Sequence, residues 1–144
     1  MGKLQEKTNN PMNVRYSEKN VWIGQCGEYK GFCVFKNVMF GYRAALKVII
    51  AYMKRGKRTL AQIITTYAPP NENNTDAYIR VVSEKANLQP DETITTWPQL
   101  FRLMLEMARV ESGSIPDAAA IYWAMGWCEI DLRKLGIDLP IIYH

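Results

Sequence analysis

Thr66-Tyr67-Ala68-Pro69-Pro70-Asn71-Glu72-Asn73-Asn74-Thr75-Asp76-Ala77-Tyr78-Ile79-Arg80-Val81-Val82 decides how this chain is organised. Pro69 and Pro70 cannot prolong a preceding helix, because each lacks an N–H donor and biases the residue before it away from helical geometry. Asn73, Asn74 and Thr75 can cap a new helix, Asp76 suits its positive end, and Tyr78, Ile79, Val81 and Val82 supply apolar residues. The stretch reads as helix, polar loop, helix. Its loop also offers a carboxylate, amides and flanking tyrosines, a set suited to a sugar or another neutral polar polymer. An ordinary interhelical turn is the competing reading.

Helical signals continue on both sides. Ala44, Ala45, Val48, Ile49, Tyr52 and Met53 recur at three- and four-residue steps, which predicts a helix from Phe40 to Met53 with Arg43, Lys47 and Lys54 on its polar side. The cluster Lys54-Arg55-Gly56-Lys57-Arg58 fits that helix's C-terminal end. Thr59 can cap a short helix through Ile63 and Ile64, and a further helix runs from Asp76 to about Lys85. Thr96-Trp97-Pro98-Gln99 combines a cap, a first-turn proline and a capping-box partner, opening a helix that continues to Ser112 with Gly113 as its stop. Pro116 opens another. Residues 1 to 20 read as an extended polar segment, Val21 to Val34 as irregular structure or a short hairpin, and Leu132 to His144 as a turn and an extended end. The sum is a mainly α single domain over residues 1–144.

Composition narrows the chemistry. The 144 residues are 48% hydrophobic and 22% charged, as in an ordinary globular chain. The net charge of +4 favours anionic partners, but the basic residues are scattered, which places a nucleic-acid partner below the other readings. With 3 cysteines and 1 histidine, zinc sites, Ser-His-Asp triads and Cys-His nucleophiles lack their groups. No Gly-rich loop sits between a strand and a helix, so no nucleotide cofactor or other cofactor is called for. No apolar run approaches the ~20 residues that span a bilayer, so no membrane partner is expected. The N-terminus lacks a signal peptide's apolar core, so synthesis in the cytoplasm is expected. Work outside the cell would then need lysis, a dedicated machine or delivery within a particle.

One carboxylate stands out. With Leu100 at zero on a helical wheel of ~100° per residue, Leu103, Met104, Met107, Ala108 and Val110 fall within about 80° of it, and Glu111 lands at about 20°. Glu106, Arg102 and Arg109 fall on the polar side. Glu111 therefore faces the core side in a helix's last turn, where burial and the dipole both disfavour a negative charge. Both raise a carboxyl pKa, as a general acid requires. An ion pair with Arg15, Arg43 or another cation, or an earlier helix end, is the competing reading.

Ala108-Arg109-Val110-Glu111-Ser112-Gly113 resembles the Glu-Ser-Gly helix end of lysozyme-like lytic transglycosylases, in which that Glu is the catalytic acid. Gly41 to Val82 resembles the later part of the same domain, with Glu72, Thr75 and Tyr78 standing for the family's Glu, Thr and Tyr at a helix start. Two asparagines separate Glu72 from Thr75 here, where the family has the pair adjacent. The order of the two parts is reversed, which implies a circular permutation. The family's Gly-Leu-Met-Gln segment after the catalytic helix is absent, and Asp117 to Trp123 stands in its place. Asn10-Pro11-Met12-Asn13-Val14-Arg15, Trp22 with Gly24, Gly31 to Phe35, Gly41-Tyr42-Arg43-Ala44 and Ala68 to Thr75 with Tyr78 together resemble a phage and prophage family labelled virion structural proteins. That family more often has Gly at the position of Met12 and Trp at that of Tyr67.

These resemblances imply a lysozyme-like fold acting on peptidoglycan glycan strands, in a virion-associated protein or one delivered to the cell wall, with other virion proteins as further partners. Ordinary glycosidases use two carboxylates, whereas a lytic transglycosylase uses one glutamic acid as acid and then base. Glu111 takes that role, and Glu72 is the second candidate, a solvated carboxylate able to stabilise oxocarbenium charge or, in the plainer reading, a helix cap. Tyr78, Asn73, Tyr67 and Thr75 are expected at the sugar, and Arg15 at a peptide-stem carboxylate or at Glu111. Trp22, Trp97, Trp123 and Trp127 are stacking candidates that more often belong to a core. The alternative is a non-catalytic virion or mobile-element component binding glycan or a partner protein.

Overall fold

A computed structural model describes residues 3–140 of the chain, without the side chains of Lys3, Gln5 and Glu6. Helices dominate. In chain order they are α1 (Lys3–Thr8), α2 (Val38–Lys54), α3 (Leu60–Tyr67), α4 (Thr75–Ala86), α5 (Trp97–Ser112), α6 (Ala118–Trp127) and α7 (Glu129–Lys134), with β1 (Gln25–Tyr29) and β2 (Phe32–Phe35) between α1 and α2. The mainly α reading holds, and of the two readings of the glycine-rich stretch the structure has the short hairpin. β1 and β2 pair antiparallel around Lys30 and Gly31, both at positive φ, the geometry of a tight two-residue hairpin turn.

The helix ends follow from local chemistry. Thr59 and Thr96 each accept from the backbone N–H three residues on, and Gln62 and Gln99 complete capping boxes. Asn74 caps α4 and Asp117 caps α6. Gly113 ends α5 at φ 69, a conformation that costs glycine nothing. α2 is the central helix. It packs on α3, α6 and β2, and it buries Tyr42, Ala44, Ala45, Leu46, Ile49, Ile50 and Met53. α4 packs between α3 and α5, and α5 also meets α6.

The extended, polar reading of residues 1 to 20 holds for 15–20, which are non-helical and mostly exposed, and is corrected for 3–14. Lys3–Thr8 is helical, and the segment after it runs through the core, with Asn10 and Met12 at 0% exposure. Asn10 makes this possible. Its side chain donates to the carbonyls of Val14 (2.9 Å) and Cys33 (3.0 Å) and accepts from the Val14 N–H (2.8 Å), satisfying backbone groups that would otherwise be buried unpaired. Val14 and Tyr16 then bond to Cys33 and Gly31, laying the segment along β2. Gly41 of α2 admits the same segment, since a Cβ there would stand 2.3 Å from the Asn9 carbonyl oxygen.

Two further expectations change. Leu132 to Lys134 belong to α7, while residues 141–144 lie outside the described residues. Glu106, expected on the polar side of α5, is buried and bonded to Arg109 at 3.1 Å, whereas Val110 is exposed. α5 is covered by α4 and α6, so its buried face is wider than a single-stripe wheel assumes.

Candidate active site

A cleft of about 470 Å³ opens between the N-terminal segment, α2 and the α3–α4 loop, with Glu111 of α5 in its wall. Asn13, Arg15, Trp22, Tyr67, Glu72 and Asn73 also line it. Val48 and Tyr52, part of the apolar pattern that predicted α2, face this cleft as well.

Glu111 is held on both carboxyl oxygens. The Asn13 amide donates to Oε1 at 2.9 Å and to the backbone oxygen of Glu111 at 3.2 Å. The Tyr78 hydroxyl donates to Oε2 at 2.9 Å. Burial pushes the carboxyl pKa up. The two hydrogen bonds and the positive charge of Arg15 pull it partly back. Desolvation wins, so the expected direction of the shift is the one found.

The other expected site residues divide. Tyr67 lines the cleft, but its hydroxyl donates to the Met12 carbonyl at 2.6 Å, tying α3 to the N-terminal segment. Burial first, and then the nearby Glu111, drive the phenols of Tyr67 and Tyr78 well above their ordinary pKa, so both remain neutral donors. Tyr78 is buried and absent from the cleft lining. Its hydroxyl is engaged with Glu111. Thr75 is enclosed as well. It is 4% exposed, and its hydroxyl donates to the Ala68 carbonyl at 2.5 Å, closing the loop that Pro69 and Pro70 begin.

Asn73 and Glu72 stand exposed on that loop, at the cleft. Asn73 donates to the Pro69 carbonyl at 3.2 Å. Glu72 pairs with Arg15 at 3.6 Å, both side chains at least half exposed, and Asn74 takes the cap of α4. Arg15 also lies 5.7 Å from the Phe32 ring centre, a cation over an aromatic face. Its ion-pair partner is therefore Glu72, on the opposite lip from its own segment.

Of the tryptophans, Trp22 lines the cleft, and Trp97 packs edge-on against Phe101 and Tyr122. Trp123 and Trp127 form an exposed pair on α6 with ring centres 4.9 Å apart, on a groove that shares no lining residue with the cleft. Arg43 stacks on Trp127, Arg58 bonds to the carbonyls of Ile94 and Leu135, and Lys47 and Lys54 pair with Asp131. These cations are engaged within the fold. Among the described residues, no group of His, Cys, Asp or Glu could hold a metal ion, and no helix is long and apolar enough to cross a membrane.

Sequence reasoning missed Asn13. Its signal was present in Asn9-Asn10-Pro11-Met12-Asn13, an asparagine-rich stretch whose residue type tolerates the positive φ that Asn9 and Asn13 adopt. No family model matches the chain. A phage protein is similar to it. Protein P5 of Pseudoalteromonas phage PM2 is 29% identical over 117 residues, covering 76% of this chain and 71% of that protein.

Proposed function

We propose that this chain is a peptidoglycan-cleaving, lysozyme-like lytic transglycosylase of phage or mobile-element origin, with Glu111 as its single acid and base. The observation that carries this reading is Glu111 itself, a carboxyl group in a cleft wall whose pKa burial raises and whose two oxygens are fixed by Asn13 and Tyr78. In the proposed reaction, protonated Glu111 gives its proton to the leaving glycosidic oxygen as the anomeric C–O bond breaks. The resulting carboxylate then takes the proton of the sugar's own 6-hydroxyl as that oxygen attacks the anomeric carbon, giving a 1,6-anhydro product. The acid is regenerated, and no water is consumed.

Glu72 and Asn73 on the loop, with Arg15 opposite, supply polar groups at the cleft for the glycan. In this reading Glu72 stabilises positive charge on the sugar ring and Arg15 receives a peptide-stem carboxylate when the strand displaces their mutual pairing. Similarity to a phage protein supports the phage origin and leaves the enzymatic step to experiment.

Mass spectrometry of the soluble products from isolated peptidoglycan, beside Glu111→Gln, tests the proposal. Anhydro products from the parent alone are the expected result. Reducing-end products would replace transglycosylation by hydrolysis. Silence from a folded parent would favour the second reading, a non-catalytic virion or mobile-element component, for which the exposed Trp123–Trp127 pair supplies a separate binding face.

A further inference from the structure

We infer that Asn13 is a positioning residue that determines which oxygen of Glu111 carries the proton, an inference resting on the acid role proposed above. The amide nitrogen of Asn13 reaches both the backbone oxygen and Oε1 of Glu111. An amide nitrogen donates and never accepts, so Oε1 is committed as an acceptor whether the carboxyl is ionised or neutral. Reversing the amide would set its oxygen against two acceptors.

The other oxygen has a different kind of partner. The Tyr78 hydroxyl lies 2.9 Å from Oε2 and 3.5 Å from the Met107 carbonyl oxygen. A hydroxyl has one rotatable proton and two lone pairs. It donates to Oε2 when Glu111 is ionised. When Oε2 is protonated, the hydroxyl can turn its proton toward Met107 and accept instead. The proton therefore belongs on Oε2, and both protonation states are accommodated without moving the carboxyl group. Such a pair, one fixed donor and one reversible partner, suits acid and base work in one catalytic cycle.

The groups facing Glu111 come from each side of the site. Asn13 and Arg15 belong to the N-terminal segment, Tyr67 to α3 and Tyr78 to α4, with Glu72 on the loop between the last two. Arg15 favours the ionised form, and the neutral phenols add no charge. Asn13 is the one among them that contacts both the carboxyl group and the backbone of Glu111. It reaches across 98 positions of sequence from a backbone at φ 56. Asparagine adopts that conformation more readily than other side-chain-bearing residues, so the residue type serves both the turn and the contact.

Asn13→Gly tests this, because glycine keeps φ 56 without steric cost while the amide is removed. Titration of the Glu111 carboxyl by carbon-13 NMR, with the resonance assigned from Glu111→Gln, should move up by about one pH unit in Asn13→Gly. With peptidoglycan, kcat should fall at least about tenfold with KM little changed, and the alkaline limb of the rate profile should shift up with the titration. If Asn13→Gly does not fold, Asn13→Asp keeps the shape and places a second carboxyl beside the first, which should raise the Glu111 midpoint further. An unmoved midpoint overturns the inference, whether or not the parent cuts peptidoglycan. A shifted midpoint in a parent that cuts nothing retains Asn13's hold on Glu111 and removes the enzymatic reading alone.

Discussion

Asn10→Ala should be among the most destabilising polar substitutions in this protein, and its cost can be worked from the contacts. The side chain is fully buried and makes three hydrogen bonds to main-chain groups of Val14 and Cys33. Truncation strands the buried Val14 N–H, at about 1–3 kcal/mol for an unsatisfied group. It also removes two donated bonds worth about 1 kcal/mol each. The Val14 carbonyl keeps the Cys33 N–H at 3.0 Å, so its loss is partial. The sum is about 2–5 kcal/mol, a large share of the ~5–15 kcal/mol that holds a typical domain together. Urea unfolding followed by tryptophan fluorescence and by circular dichroism would measure it. Asn10→Asp sharpens the test, because a carboxylate would face the carbonyls that the amide now serves. It should be worse than alanine at neutral pH and recover as acid protonates the new side chain. A loss under about 1 kcal/mol for Asn10→Ala would refute the reasoning, since those groups would then be satisfied without the side chain.

Two further outcomes follow from the same geometry. Gly41→Ala should lower the thermal midpoint, although alanine is the better helix former by about 1 kcal/mol, because the new Cβ meets the Asn9 carbonyl oxygen at 2.3 Å. A raised midpoint in differential scanning calorimetry would contradict the close approach of α2 to the N-terminal turn. Glu111→Gln should stabilise the protein at neutral pH, with the gain shrinking in acid. The folded carboxyl has a raised pKa, so the folded state holds the proton more tightly than the unfolded one. That contribution is present in full below the unfolded pKa and is lost as pH rises through the folded value. Urea midpoints of the two proteins across pH should therefore converge toward acid, and parallel curves would count against the burial of Glu111. The amide also fits the site, accepting from Asn13 through oxygen and donating to a turned Tyr78 hydroxyl.

What could be read from the sequence was local. The caps at Thr59 and Thr96, a cap among Asn73, Asn74 and Thr75, and the stop at Gly113 each depend on residues within one turn of one another. Glu111 was legible for a related reason. A charged residue inside an apolar stripe conflicts with its own helix, and such conflicts concentrate where chemistry is done. Glu106 marks the limit of that argument. Its burial depends on both helices that cover α5, and a wheel drawn for one helix contains neither.

Tyr78 was expected at the sugar rather than at Glu111, and Asn13 was not expected at the site, because both contacts are chosen by the tertiary fold. Tyr78 approaches from 33 positions away and Asn13 from 98, and neither spacing has a period or a motif. The N-terminal segment was misread for a similar reason. Asparagine at 10 looks polar and solvent-facing in a sequence, yet its side chain substitutes for a strand neighbour and carries Met12 and Val14 into the core. The physical chain runs from Gly41, which admits the segment, through Asn10, which pins it, to Asn13, which presents an amide to Glu111. Gly41 and Asn10 thus place the segment from which Asn13 lines the cleft. This connects stability to chemistry in a testable order: loosening Gly41 or Asn10 must disturb the Glu111 carboxyl, whereas removing only the Asn13 amide must change that carboxyl with far less effect on the fold.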